Sequence, residues 1–303
     1  KKITRLLYDE NQSVRHYAAI FIFHNMAKMM EDKSARSRTA TKHKPKKRLD
    51  VDLEDMMCLM REHCGECPLI PYYVAENFWK LTDCVKDWRQ IIDYLTDRED
   101  ELEAEDDTLN LIRLLTASVQ KVNEQLAMKT SAADNAKMPK RAKKQQESER
   151  VAQQEEMTGI VAAALPQLFM KYQAEADKIQ ELVQIPRQLN MEAFTEHHLE
   201  SDFDEILKVL RDIFWKYTDP VVLRHIAQAF DYLVKQDYSL KSKAKTALDE
   251  IIREMINKLQ EAVSSLESEE MGTKEKNFAV LVALQRIKEF TLVMDVDLEG
   301  LTD

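Results

Sequence analysis

"DPVVLRHIAQAFDYL", residues Asp219 to Leu233, reads as an acid, a short turn, an aliphatic-arginine pair (Leu223, Arg224) and an alanine three residues on (Ala227). The pattern occurs a second time. "DENQSVRHYAAIFIF", Asp9 to Phe23, sets out Asp9, Val14, Arg15 and Ala18 in the same order. In both stretches the apolar residues that follow fall at helical spacing. Arg15 and Arg224 lie 209 residues apart, about five units of the 40-odd residues typical of helical-hairpin repeats. Such a period predicts stacked helical hairpins.

The same periodicity extends outward from these two stretches. In "FDEILKVLRDIFWKY", Phe203, Ile206, Leu207, Leu210, Ile213, Phe214 and Tyr217 share one face. In "LDEIIREMINKLQEAVSSLE", Ile251, Ile252, Met255, Ile256, Leu259 and Val263 do the same. Ser201, with Asp204 three residues on, resembles a capping box at a helix start. About ten such segments follow one another, and none shows the period-2 alternation of a strand. Only four of the 303 residues are glycine, against a background of about 7%. Phosphate-binding loops, open α/β sheets and β-sandwiches need more glycine at tight turns. The fold class expected is all-α, a curved solenoid of HEAT-like hairpins. In a HEAT repeat the aliphatic residue and the alanine pack against the partner helix, and the Asp and Arg tie the turns of neighbouring repeats.

Charge is segregated along the chain. The net charge is −10, with 44% hydrophobic and 32% charged residues, enough apolar matter for a sizeable core. "KSARSRTATKHKPKKR", residues 33 to 48, nevertheless carries eight Lys or Arg and no acid. "TSAADNAKMPKRAKKQQESER", residues 130 to 150, concentrates Lys137, Lys140, Arg141, Lys143 and Lys144. Both stretches lack apolar residues to bury and are expected as mobile loops. "DREDELEAEDD", Asp97 to Asp107, is strongly acidic. The organisation expected is helical repeats over 1–129, a basic flexible linker over 130–150, and repeats continuing over 151–303. No apolar stretch approaches the roughly 18 residues of a membrane span, so a soluble protein without a membrane partner is expected. The opening Lys1-Lys2, without methionine, suggests a piece of a longer protein.

Three readings of the basic stretches stand side by side: solvated loop charge, a nuclear-import signal in "KHKPKKR", and phosphate contact with nucleic acid. The candidate DNA-contacting residues are Arg36, Arg38, Lys42, Lys44, Lys46, Lys47 and Arg48 in the first stretch, with Lys137, Lys140, Arg141, Lys143 and Lys144 in the second. No aromatic residues are interleaved with them, which disfavours single-strand stacking. "HCGECP", residues 63 to 68, is the stretch closest to chemistry. A redox Cys-x-x-Cys sits at a helix N-terminus after a buried strand, but here a helical pattern, "LEDMMCLMREH", precedes it. Zinc needs four ligands, and Cys64 and Cys67 have only Cys58, His63 and Cys84 as candidates, without a second paired motif. The expectation is a hairpin turn, with Gly65 stopping one helix and Pro68 opening the next. Four free thiols and no disulfide framework point to a reducing compartment. Tyr72, Tyr73, Phe78, Trp79 and Trp88 read as core packing rather than a ligand box. His197-His198 reads as a solvated turn. No catalytic residues, no metal site and no cofactor are expected.

Longer stretches resemble a known family. "YYVAENFWKLTDCVKDWRQIIDYL", the run from "IVAAALPQLFMKY" to "DFDEILKVLRDIF", and "LQRIKEF" are similar, in that order, to segments of the stromalin (stromal antigen) subunit of cohesin. The marks are Trp79, Lys86-Asp87-Trp88, Ala164-Leu165-Pro166-Gln167-Leu168, Lys171-Tyr172, Ala176-Asp177-Lys178, Leu182, Ile185-Pro186, Leu284 and Arg286. The resemblance implies a nuclear, chromosome-associated HEAT scaffold without catalysis. It would bind the kleisin subunit of cohesin, contact double-stranded DNA without sequence preference, and meet the cohesin loader and regulatory proteins. No residue is carried over for kleisin, and the family's best-known ligand surface lies N-terminal to Lys1. "TLVMDVDLEG" departs from the family's usual His/Asn-rich stretch with a tryptophan. Other readings are a condensin HEAT subunit, a nuclear transport receptor, and a HEAT-type DNA glycosylase with Asp87 beside Trp88.

Overall fold

Helices follow the apolar periodicity throughout the computed structural model, which describes residues 2–37, 51–127, 140–266 and 273–295. Twelve α-helices occur among them: α1 (Gln12–Ser37), α2 (Leu53–His63), α3 (Ile70–Phe78), α4 (Trp88–Thr96), α5 (Glu105–Ala127), α6 (Lys140–Tyr172), α7 (Ala176–Leu182), α8 (Met191–Glu196), α9 (Glu200–Lys216), α10 (Pro220–Lys235), α11 (Lys241–Leu266) and α12 (Thr273–Thr291). Short 3-10 turns join some of them, and no strand is present among the described residues. The fold is all-α, as the glycine count and periodicity require. Several starts are set by side-chain caps that satisfy orphan N–H groups, each contributing about 1 kcal/mol. The Asp52 carboxylate accepts from Asp55 N, Asp87 from Gln90 N, and Asp219 from Val221 N and Val222 N, all at 2.9–3.1 Å.

The chain divides into two compact units, residues 1–151 and 152–303, and the boundary falls within α6. In the first, α3 packs against α1, α2 and α5, and α4 packs against α5. Leu53, Met56, Phe78 and Tyr94 are fully buried there. The buried Trp88 indole donates to Ser118 Oγ at 3.0 Å, and Thr82 Oγ1 donates to Val51 O at 3.1 Å. In the second unit α10 is central and meets α7, α9, α11 and α12. Phe214 of α9 and Phe290 of α12 meet edge to face with centroids 5.0 Å apart, and Phe230 of α10 is fully buried. Ala18 and Ala227, the small residues of the repeated pattern, are both buried.

Several local expectations are corrected. Residues 33–37 belong to α1 and residues 140–150 to α6, so these parts of the basic stretches are helix rather than loop. Their Ala, Lys, Arg, Gln and Glu content carries high helix propensity, which outweighs the lack of an apolar face. Arg150 Nη1 also donates to Gln125 O at 3.1 Å, tying α6 to the end of α5. Ser201 and Asp204 form no capping box. His198 takes a positive φ of 57°, Leu199 N donates to Phe194 O, and α9 starts at Glu200, leaving Ser201 inside its first turn. Val263 of α11 is exposed, whereas Ile251 and Met255 are buried as expected.

Candidate nucleic-acid and partner surfaces

The basic residues are placed unevenly. Arg38, Lys42, Lys44, Lys46, Lys47, Arg48 and Lys137 lie outside the described residues, and Arg36 is described for its backbone alone, in the last turn of α1. Lys140, Arg141, Lys143 and Lys144 fall in the first two turns of α6, where Arg141 and Lys144 are exposed. Positions 140, 143 and 144 share a helix face by their spacing. Four cations at the positive end of a helix dipole raise the local potential, a placement that suits a polyanion and disfavours a bare helix start.

The "HCGECP" stretch is a turn of a different kind from the one expected. Cys64 caps α2 in the right-handed region, its N–H donating to Met60 O at 2.8 Å, and Cys67 N donates to His63 O at 2.9 Å. No glycine has a positive φ among the described residues. Gly65 therefore does not act as a left-handed helix stop. Pro71, rather than Pro68, stands in the first turn of α3, while Pro68 O accepts from Arg113 Nη1 at 3.1 Å. None of the four thiols is in a disulfide, Cys58 being exposed and the others half-buried. Among the described residues no group of three or more His, Cys, Asp or Glu converges as a metal site would require. His63 is buried, and desolvation pushes its imidazole pKa below the ordinary value. Neither of its ring nitrogens finds a hydrogen-bond partner among the described residues.

The acidic stretch is partly neutralised from within. Arg61 Nε and Nη2 donate to the two carboxylate oxygens of buried Asp107 at 3.0 and 2.6 Å, and Nη1 donates to Glu103. Those hydrogen bonds, led by Asp107, hold the guanidinium more firmly protonated than usual. Arg98 pairs with Glu101 and stacks over the Tyr94 ring.

Asp87 and Trp88, the pair considered for a base-excision pocket, are occupied otherwise: Asp87 caps α4 and Trp88 is buried against Ser118. Trp79 is buried under the Lys86 ammonium, 5.4 Å from its ring centroid. The aromatic cluster is thus core and cap. His197 and His198 are exposed, and His197 covers Gly159, where a Cβ would meet the ring at 3.4 Å.

The two arginines of the repeated pattern both reach across to a glutamate. Arg15 Nη2 pairs with Glu76 of α3 at 3.2 Å and its guanidinium lies over Tyr73. Arg224 Nε and Nη2 pair with Glu289 of α12 at 2.9 and 2.7 Å. In each case the link skips one helix of the hairpin series and ends on a glutamate. The aspartate of a neighbouring turn, expected as the partner, is not used. Asp219 instead caps its own helix, and Asp9 O accepts from Arg15 Nη1 at 2.9 Å.

A family model described as "Cohesin subunit SCC3/SA, HEAT-repeats domain" matches residues 73–303. The chain belongs to that family. Among curated relatives it is 24% identical over 302 residues to sister-chromatid cohesion protein 3 of Arabidopsis thaliana, covering 98% of this chain and 26% of the relative. It is 22% identical over 223 residues to cohesin subunit SA-1 of Xenopus laevis, covering 72% of this chain and 17% of that protein. Cohesin subunit SA-3 of Homo sapiens is 22% identical over 220 residues, with 72% of this chain and 18% of the relative covered. The chain thus spans about a quarter or less of the length of these relatives.

Several of the SCC3/SA marks are structural residues, whereas Gln167, Lys171, Asp177 and Leu284 are exposed. Leu165, Leu168, Leu182 and Ile185 are fully buried, and Tyr172 lies under the Lys178 ammonium at 4.7 Å. Arg286 Nη2 donates to Trp215 O at 2.7 Å and Tyr217 O at 3.3 Å, holding the end of α9 against α12. Burial lowers its pKa. What sequence reasoning missed are Glu76, Glu289 and Asp107. Each is an ordinary acid in a helical stretch, and only its contact with an arginine marks it. It also missed an open trough between α1 and α2, whose two walls are 26 or more positions apart in sequence.

Proposed function

We propose that the chain is a non-catalytic scaffold segment of a cohesin subunit. Its helical hairpins hold an extended stretch of kleisin, and its basic clusters contact double-stranded DNA through phosphates rather than bases. The match to the SCC3/SA HEAT-repeat family over residues 73–303 carries the reading. Charge segregation supports the DNA part: eight cations without an acid in residues 33–48 stand out from a chain of net charge −10, and would steer a polyanion to one place. In this reading the protein is nuclear and chromosome-associated, and meets the cohesin loader and regulatory proteins. The side chains most suggestive of chemistry are in structural use, Asp87 as a cap and Trp88 in the core.

Co-purification with a mitotic and a meiotic kleisin tests the reading. Capture of either is expected. Capture of a small GTPase in its GTP form, with neither kleisin retained, would reassign the chain to transport receptors. Release of bases from alkylated DNA would replace the scaffold reading with the glycosylase one.

A further inference from the structure

Trp215, the penultimate residue of α9, gathers cations from two other helices. The Lys258 ammonium of α11 stands 5.0 Å from its ring centroid and the Arg286 guanidinium of α12 stands 5.1 Å from it, both within cation–π range. Neither cation has a carboxylate partner among the described residues. The acids near them along the same helices are held elsewhere. Glu254, one turn before Lys258, is paired with Arg211 at 3.0 Å, and buried Glu289, one turn after Arg286, with Arg224 at 2.7 Å. Two further donors stand idle. Trp215 Nε1 and Arg286 Nε are shielded from solvent and find no acceptor among the described residues. Arg286 Nη2 serves the Trp215 and Tyr217 carbonyls, while Nη1 has no partner there. Shielded donors without acceptors are rare in folded proteins. Indole, ammonium and guanidinium groups only donate, so what this place lacks is an acceptor, and one that carries negative charge.

We propose that Trp215, Lys258 and Arg286 form a binding site for an acidic peptide segment of a partner protein. One carboxylate of the segment pairs with the Lys258 ammonium and a second with Nη1 of Arg286. Both cations lie about 5 Å from one ring centroid, so they stand no more than about 10 Å apart. Two acids separated by one residue on an extended chain are roughly 7 Å apart, within that reach. Duplex DNA is the poorer ligand. Glu250, Glu254 and Glu261 share a face of α11 with Lys258, so a long polyanion would run across three carboxylates that a short acidic pair avoids. Arg286 Nη2 keeps its tie between α9 and α12 throughout. The proposal holds whether or not the chain also binds kleisin or DNA elsewhere.

The test follows the indole N–H signals of the protein labelled with 15N-tryptophan. Trp79, Trp88 and Trp215 are its three tryptophans, and Trp215→Phe assigns the signal of interest. The probe is a Gly/Ser peptide of about 12 residues with a central Asp-Gly-Glu, and its control carries Asn-Gly-Gln instead. At about 0.15 M salt the acidic peptide is expected to move the Trp215 signal and to leave those of the buried Trp79 and Trp88 in place. The control should bind at least tenfold more weakly. Lys258→Glu should weaken binding of the acidic peptide at least tenfold, and Lys258→Arg should keep it within about twofold. Lys258 is exposed, so both variants retain the fold, which circular dichroism checks. A Trp215 signal that stays in place at millimolar peptide would overturn the proposal. So would an equal response to the two peptides, or an undiminished affinity in Lys258→Glu. A duplex of about 12 base pairs that moves the Trp215 signal at lower concentration than the peptide would also overturn it, and would assign these cations to nucleic acid.

Discussion

The ties at Arg15 and Arg224 begin from the same sequence pattern and bury opposite partners. In the first unit the cation is the more buried member, though neither is fully buried: the Arg15 side chain is 13% exposed and Glu76 27%. In the second the anion is: Glu289 is 0% exposed, while Arg224 remains 45% exposed. Glu289 also accepts from Gln285 Nε2 at 2.8 Å, so its lone pairs are filled from two directions. Arg15 has backbone carbonyls of Asp9 and Glu10 and the Tyr73 ring as well as its carboxylate. A matching motif therefore does not imply matching energetics. A buried charge is costly when its partner is removed, and what decides the cost is which partner is buried and how many other contacts it keeps.

Arg224→Ala should be the most damaging change, because it leaves a fully buried carboxylate short of its guanidinium. A loss of about 3 kcal/mol is expected by chemical denaturation. Arg224→Ala combined with Glu289→Ala should cost clearly less than the sum of the two single changes. Additive losses would mean that the pair is not coupled.

Arg61→Ala sharpens the comparison, because it lies in the first unit yet serves an acid, Asp107, that is 1% exposed. If burial of the acid sets the cost, this variant also loses about 3 kcal/mol and behaves like Arg224→Ala. A loss below about 1 kcal/mol would show that the difference belongs to the units and not to the buried acid. Glu76→Ala is expected to cost only about 1 kcal/mol, since Arg15 keeps its two carbonyls and its ring. Thermal melts read against wild type decide between these values.

The smallest effect is one of pH. His225 neighbours Arg224 in α10, and burial, with a contribution from Arg187, lowers its pKa from 6.5. His63 is lowered in the first unit for the same main reason. At pH 7.5 both imidazoles are neutral, folded or unfolded. Below 6.5 the unfolded chain binds protons that the folded chain refuses, so stability falls with pH. Linkage caps the loss at about 0.8 kcal/mol for each histidine at pH 6. His63→Leu with His225→Gln should flatten the melting profile between pH 7.5 and 6. An unflattened profile would assign the acid sensitivity to other groups.

The helical class was legible because periodicity and glycine scarcity both report backbone needs directly. Ala18, Ala227, Phe203 and Leu210 are buried where spacing placed them. Ends were less legible. The start of α9 depends on the positive φ of His198, and the helicity of residues 140–150 on propensity without an apolar face, neither of which a hydrophobic pattern displays. The ties to Glu76, Asp107 and Glu289 depend on contacts across 46 to 65 residues, which one sequence does not mark. The family marks were legible as marks, yet Trp79 and Trp88 turn out to hold the scaffold rather than to form a site. By that division, packed residues make the helical framework, and in the proposed function the basic clusters are what would meet DNA.

The salt dependence of DNA binding tests this division most directly. The affinity for a duplex would be measured from low to physiological salt for the wild type and for a variant with Lys42, Lys44, Lys46, Lys47 and Arg48 all changed to Ala. If these residues make about four phosphate contacts, the variant's log-affinity against log-salt slope should flatten by roughly 3 to 4. An unchanged slope would contradict the account, leaving the first basic stretch as an import signal or as solvated charge.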